Sequence, residues 1–192
     1  MSDSWDDYAS DWDKHSDVIS YAQNAFESLQ QAVQLSNQKI LDFGCGTGQL
    51  TQRLATVCQE VVALDSAPKM IEVLDKKQLK GVTSLACELS ENSIQQHVPL
   101  QQKFDLIVAS SVCTFLEDYP ASLKLIKELL KDNGTFVQWD WHAEDGSTLG
   151  FSQDFVSNAL KQAGFKTVTT SLPFTQESSK GNKTVLMAVA SL

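Results

Sequence analysis

The chain alternates short apolar runs with segments of helical periodicity, and this alternation restricts the fold more than any single residue does. The runs KILDF (39–43), EVVALD (60–65), VTSLA (82–86) and FDLIVASS (104–111) read as strands, followed by TFVQWDW (135–141), FKTVTTSL (165–172) and KTVLMAVAS (183–191). Between them, residues 48–58 place Leu50, Leu54 and Val57 on one helical face, and 67–79 begin with Pro68, where a missing N–H costs nothing. Residues 120–134 read as a helix stopped by Asn133–Gly134, and 152–164 as one closed by Gly164. The stretch ENSIQQHVPLQQK reads as a polar loop carrying His97 at the surface.

Strands alternating with helices imply right-handed crossovers and a mainly parallel sheet covered on both faces, a doubly wound α/β architecture. The last two runs are joined by the helix-poor PFTQESSKGNK, which predicts an antiparallel pairing at one edge. The expectation is therefore a seven-stranded α/β sheet with an antiparallel last strand. Trp5, Tyr8, Trp12, His15 and Ile19 recur at spacings of three and four, which predicts a helical N-terminal segment with an aromatic stripe. Such a stripe packs onto the domain or forms a lid over a half-wet pocket. Residues 1–192 are read as one domain, with a helical cap over 1–35 and a core over 36–192.

Composition narrows the partners. The net charge is −9, and Asp3, Asp6, Asp7, Asp11, Asp13 and Asp17 crowd the N-terminus against Lys14. An acidic chain without a basic run lacks the footprint that gives non-specific nucleic-acid affinity, so no nucleic-acid partner is expected. Cys45, Cys58, Cys87 and Cys113 are widely separated and form no C-x-x-C pair, so no metal site is signalled and free thiols suit a reducing compartment. The N-terminus has no secretory pattern and no run is long enough to span a membrane, so a cytoplasmic protein is expected.

The turn after the first strand reads G-C-G-T-G-Q from Gly44 to Gln49. In a doubly wound sheet this turn is the usual ligand contact, and glycines let a ligand approach the backbone closely. At the end of the second strand stands Asp65, where an acid accepts hydrogen bonds from ribose hydroxyls. A dinucleotide fingerprint places its last glycine at the sixth position of the turn, and here that position is Gln49, which disfavours a nicotinamide oxidoreductase.

The spacing G-x-G-x-G preceded by Leu41–Asp42 resembles the first motif of class I S-adenosylmethionine-dependent methyltransferases, whose fold is Rossmann-like. VVALDSAPKMIEVL is similar to the family's second motif, and FDLIVASSVCTFLED to its fourth. GTFVQWDW and Gly164–Phe165 are similar to its fifth and sixth strands. The resemblance implies S-adenosylmethionine as cofactor and a small-molecule acceptor. It implies cofactor contacts from Gly44, Cys45, Gly46, Asp65, Ser66, Met70, Ala109 and Ser110. Cys87–Glu88 stand where the family usually has a Gly-Asp pair near the adenine amino group, and Trp12 matches an aromatic that closes over the cofactor. Paired histidines after the fourth strand, common in small-molecule members, are replaced here by Thr114–Phe115. A non-catalytic protein of the same fold that binds S-adenosylmethionine is the alternative reading.

Methyl transfer from a sulfonium is an in-line displacement that chiefly needs alignment and exclusion of water; a base is needed only when the acceptor must lose a proton. His142, Asp140 and Tyr8 are the candidates for such a group, and Tyr8, His15, Phe115, Trp139, Trp141 and His142 for acceptor contacts. Trp139 and Trp141 are assigned opposite sides of their strand, one in the core and one walling the acceptor site. Asp42 is expected either to be buried and bonded to the N–H groups of the glycine loop, the favoured reading, or to lie near the cofactor through water.

Overall fold

Near-continuous apolar runs bury both faces of a strand only when helices cover both sides of the sheet. The computed structural model describes residues 5–143, 150–177 and 181–192. After helices α1 (Trp5–Trp12) and α2 (Ser16–Ala32) the chain alternates β1 (Lys39–Phe43), α3 (Thr51–Leu54), β2 (Glu60–Asp65), α4 (Pro68–Lys76) and β3 (Val82–Ala86). It continues through α5 (Glu91–Gln96), β4 (Phe104–Ser110), α6 (Tyr119–Leu129) and β5 (Leu130–Trp141), then α7 (Gln153–Ala163), β6 (Thr167–Gln176) and β7 (Lys183–Ser191). Among the described residues the strands form one seven-stranded sheet in the order β3-β2-β1-β4-β5-β7-β6. Pairings from β3 across to β5 are parallel, and β7 runs antiparallel to both of its neighbours.

The strand order reverses between β1 and β4, and the carboxyl ends of strands at such a reversal open a crevice. Phe43 pairs with both Leu64 and Ala109, so β1, β2 and β4 end level at that crevice. One sheet face packs Leu41, Ile107 and Phe136 against Leu123 and Ile126 of α6 and Val156 and Leu160 of α7. The opposite face packs Ile40, Leu106 and Val137 against Tyr21, Ala25 and Leu29 of α2.

Several local expectations change. The N-terminal stripe divides between two helices, because Asp13 in the break accepts a hydrogen bond from Thr47 Oγ1 (2.5 Å) and pairs with Lys77 (2.7 Å). His15 then precedes α2 in extended backbone rather than continuing the stripe. The helix expected over 48–58 is regular only over α3, and Thr56 Oγ1 donates back to Arg53 O (2.7 Å), a side-chain bond that competes with helical propagation. Asn133–Gly134 lies within β5, where the register against β4 shifts between Phe104 and Leu106, so its turn chemistry makes an irregularity in the ladder. ENSIQQ is a helix: Ser90 and Ser93 form a reciprocal capping box, and His97 follows at the helix end. β6 runs on to Gln176, with Pro173 at a register shift on the edge strand, where proline is tolerated. Residues 178–180 of the expected connection, and 1–4 of the expected cap, lie outside the described residues.

Trp139 and Trp141 share a face, because residues two apart in a strand point the same way. Both face α2. Trp139 is fully buried and its Nε1–H donates to Ser28 Oγ (2.9 Å), while the Trp141 ring lies 5.3 Å from that of Tyr21. Ser28→Ala strands this buried indole N–H, and urea denaturation is expected to show a loss of ~1–3 kcal/mol; an unchanged midpoint would mean the bond contributes nothing.

Candidate functional site

The loop after β1 folds back on β2, with Gly44 N–H and Cys45 N–H both donating to Leu64 O (2.8 and 3.0 Å). Gly44 and Gly46 hold positive φ, +71° and +54°, for different reasons. A Cβ at Gly44 would stand 2.4 Å from Val112 Cγ2, so that position is closed by the protein itself. A Cβ at Gly46 would meet only Trp12 Nε1, at 3.9 Å, so Gly46 is the glycine that turns a bare backbone toward the lid. The Asp65 carboxylate fastens this loop: Oδ2 accepts from Gly46 N–H (2.8 Å) and Oδ1 from Ala67 N–H (2.9 Å).

Helix α1 lies across the crevice. Asp6 Oδ1 accepts from Lys69 N–H (2.8 Å) in the first turn of α4, a helix whose own N-cap, Ala67, offers no side-chain acceptor. Trp5 packs edge-on against Trp12 (5.9 Å between centroids) and against Phe115 (5.1 Å), bridging the lid to the segment after β4.

Beneath this roof is a cavity of about 1120 Å³. Of the residues read from the sequence as cofactor contacts, Trp12, Gly44, Cys45, Gly46, Asp65, Ser66, Met70, Cys87, Glu88 and Ser110 line it. Ala109 is fully buried within the sheet. Phe115 and Trp141 also line the cavity, and Trp139 is sealed under α2. Tyr8 is 42% exposed and meets the rings of Trp5 and Trp12 on the lid rather than the cavity. His15 lies at the junction of α1 and α2, and His142 bonds through its backbone N–H to Thr184 O beyond the end of β5; neither belongs to the lining.

Asp140 is buried on the face opposite Trp139. It accepts from Thr114 N–H (3.2 Å) and Gln138 Nε2 (2.9 Å), and Gln138 in turn accepts from the Tyr119 hydroxyl (2.5 Å). This carboxyl, a candidate base in the sequence, holds the turn after β4 and is not among the residues lining the cavity. Asp42 accepts from Thr51 Oγ1 (2.7 Å) rather than from loop N–H groups, and its Oδ1 is buried without a partner. The lining also includes Trp5 of the aromatic stripe and Asp42, and with them Tyr21, Ser111, Gln176 and Lys183, which the sequence does not place there. Trp5 had a signal in the aromatic stripe; the antiparallel β6–β7 pairing follows from the helix-poor connection, but nothing in local sequence says that its end brings Gln176 and Lys183 to the cavity.

A family model described as a methyltransferase domain matches residues 34–179. The chain belongs to the methyltransferase-domain family. A malonyl-[acyl-carrier protein] O-methyltransferase of Acetivibrio thermocellus is 26% identical over 80% of this chain and 53% of its own length. A ubiquinone biosynthesis O-methyltransferase of Cereibacter sphaeroides is 29% identical over 52% of this chain and 39% of its own. The chain thus spans about half the length, or less, of these curated relatives. In fold it is similar to the DhpI-SAM-HEP complex, with a TM-score of 0.76 at 16% identity, covering 97% of this chain and 93% of that one. Helices α1 and α2 precede the matched residues, so the lid lies outside the part shared with the family model.

Among the described residues of this methyltransferase domain, no group of three or more His, Cys, Asp or Glu side chains is placed to hold a metal ion, and no helix is long and apolar enough to cross a membrane. Burial pushes the carboxyls of Asp42 and Asp140 up to about 7, against hydrogen bonds that favour their charged forms. Burial also raises Asp65 despite its two N–H donors. A carboxyl raised in the folded state binds its proton more tightly there than in the unfolded chain. Its contribution to stability is complete below the ordinary carboxylate range of ~4 and is lost as pH rises through about 7. The ligand-free protein is therefore expected to unfold at higher urea near pH ~5.5 than near pH ~8, with Asp140→Asn reducing the slope between them. A midpoint that climbs with pH over this window would contradict the assignment.

Proposed function

We propose that this chain is an S-adenosylmethionine-dependent methyltransferase acting on a small-molecule acceptor, and that residues 1–192 form a single catalytic domain with a helical cap. The observation that carries the reading is the bare backbone of Gly46, tied to Asp65 at the floor of a cavity roofed by Trp12. The residues present fit the cofactor. Asp65 at the end of β2 accepts from the ribose hydroxyls, using lone pairs that its two backbone N–H partners leave over. The unpartnered Asp42 Oδ1, next to the glycine loop, would accept from the methionyl ammonium. Met70 would hold the adenine, Cys87 and Glu88 would serve its amino group, and Ser110 the methionyl part, all four lining the cavity.

Bound there, the cofactor supplies an electrophilic methyl group that an acceptor lone pair takes by in-line displacement. The chain's own contribution is alignment and exclusion of water. Trp5, Trp12 and Phe115 close the apolar roof, and the two acidic anchors, Asp6 and Asp13, hold that roof down through α4 and the glycine loop. A small acceptor is supported by the name of the ubiquinone biosynthesis relative and by a net charge of −9, unsuited to nucleic acid. The free thiols Cys45, Cys58, Cys87 and Cys113 suit a cytoplasmic setting.

Calorimetric titration with S-adenosylhomocysteine tests the reading, and folded protein that shows no binding at millimolar ligand would overturn it. Asp65→Ala is expected to weaken binding by ~1.5–3 kcal/mol. Because the same carboxylate holds Gly46 and Ala67, this variant also loses thermal stability. Trp12→Ala separates the two effects: it should weaken ligand binding while changing the melting temperature less than Asp65→Ala does.

A further inference from the structure

The far wall of the cavity carries chemistry that the cofactor contacts leave unused. Tyr21 of α2, Trp141 at the end of β5 and Gln176 at the end of β6 all line it. The Tyr21 ring stands edge-on to Trp141 (5.3 Å, 69°) and to Phe174 (5.4 Å, 81°), which makes an aromatic corner. Two buried oxygens here have no hydrogen-bond partner, Tyr21 Oη and Gln176 Oε1, in residues only 8% and 6% exposed. A buried polar atom left unpaired is costly, so two of them on one cavity wall point to a ligand.

The orientation of the Gln176 amide follows from its neighbours. Its Nε2 donates to Glu177 O (3.2 Å), a carbonyl that can only accept. It also donates to Ser20 Oγ (2.8 Å), whose own hydrogen is given to Asp17 O (3.1 Å). Oε1 is therefore the free atom, and it can only accept. Burial holds the Tyr21 phenol well above its ordinary range, with the charge of Asp140 adding and the nearby Ser111 hydroxyl opposing, so the hydroxyl stays neutral and can both donate and accept.

We propose that Tyr21 and Gln176 form the recognition end of the acceptor subsite, and that the acceptor is a small flat aromatic molecule presenting an O–H or N–H donor there rather than a carboxylate. A carboxylate would set its oxygens against Gln176 Oε1, whereas a phenol, amine or amide supplies the hydrogen that this atom takes. The aromatic corner favours a flat apolar body. Lys183, with its ammonium 5.3 Å from the Trp141 ring centroid, does not make this an anion-binding subsite, because exposed Asp17 lines the same cavity and offsets its charge. The assignment rests on the methyltransferase reading and names the acceptor class for that same cavity.

Benzamide and benzoate are near-isosteric, and only the first brings N–H donors. Protein saturated with S-adenosylhomocysteine is titrated with each, by ligand-observed NMR. Benzamide is expected to bind about threefold to tenfold more tightly than benzoate, the yield of one net hydrogen bond. Tyr21→Phe is expected to reduce benzamide affinity by about the same factor while its melting temperature stays level, since the deleted hydroxyl has only the nearby Ser111 hydroxyl beside it. Equal or tighter benzoate binding, no benzamide binding at its solubility limit, benzamide binding indifferent to Tyr21→Phe, or a lowered melting temperature of that variant would each overturn the assignment. Failure of S-adenosylhomocysteine itself to bind is a different result: it overturns the methyltransferase reading, and the acceptor assignment falls with it.

Discussion

The carboxylate of Asp65 is the tie on which the rest of the site depends. It ends β2 and grips two backbone N–H groups from different parts of the chain, Gly46 in the loop after β1 and Ala67 at the entry to α4. A short acid on a rigid strand can do this because an ionised carboxylate accepts several hydrogen bonds at once. The glycine loop is thereby held in its left-handed turns, and α4 starts at a defined angle from the sheet. A ribose at this position would meet an acid already oriented by the protein.

The N-terminal helices extend the same device. Asp6 caps the first turn of α4 from outside that helix, and Asp13 reaches both Thr47 of the glycine loop and Lys77 after α4. The aspartates crowded into the N-terminus thus do more than set a net charge: two of them pin an amphipathic roof onto the crevice. The roof is aromatic on its inner side because Trp5 and Trp12 must cover both the loop backbone and Phe115, and flat rings bury area at little entropic cost. Opposite this roof, α2 closes the sheet face, with Trp139 sealed by Ser28 and Trp141 left at the cavity beside Tyr21.

Much of this was legible in the residues. The runs from KILDF to FDLIVASS became β1 to β4, and the glycine turn and Asp65 met as their positions at strand ends required. Legibility failed where a local signal had two meanings. Asn133–Gly134 suits a helix stop or an irregular strand, and the pairing of Leu130 with Phe104 decided for the strand. Asp140 and Trp141 are neighbours in sequence, yet one lies under the turn after β4 and the other at the cavity, because alternate strand residues face opposite sides of a sheet whose two covers differ. The serine pair that caps α5 was a weak signal inside a polar stretch and was readable only once the helix was seen.

By itself the sequence determined the α/β alternation, the parallel core and the glycine-loop end of the cavity, because periodicity, glycine spacing and an acid at a strand end are local properties that any such sheet must honour. Only the tertiary structure decided the opposite wall of that cavity. Tyr21, Trp141 and Gln176 come from α2, β5 and β6, and they meet because β7 inserts antiparallel between β5 and β6 while α2 packs across the face they share. Contacts between residues more than a hundred positions apart are set by packing and strand order, and no local pattern encodes them.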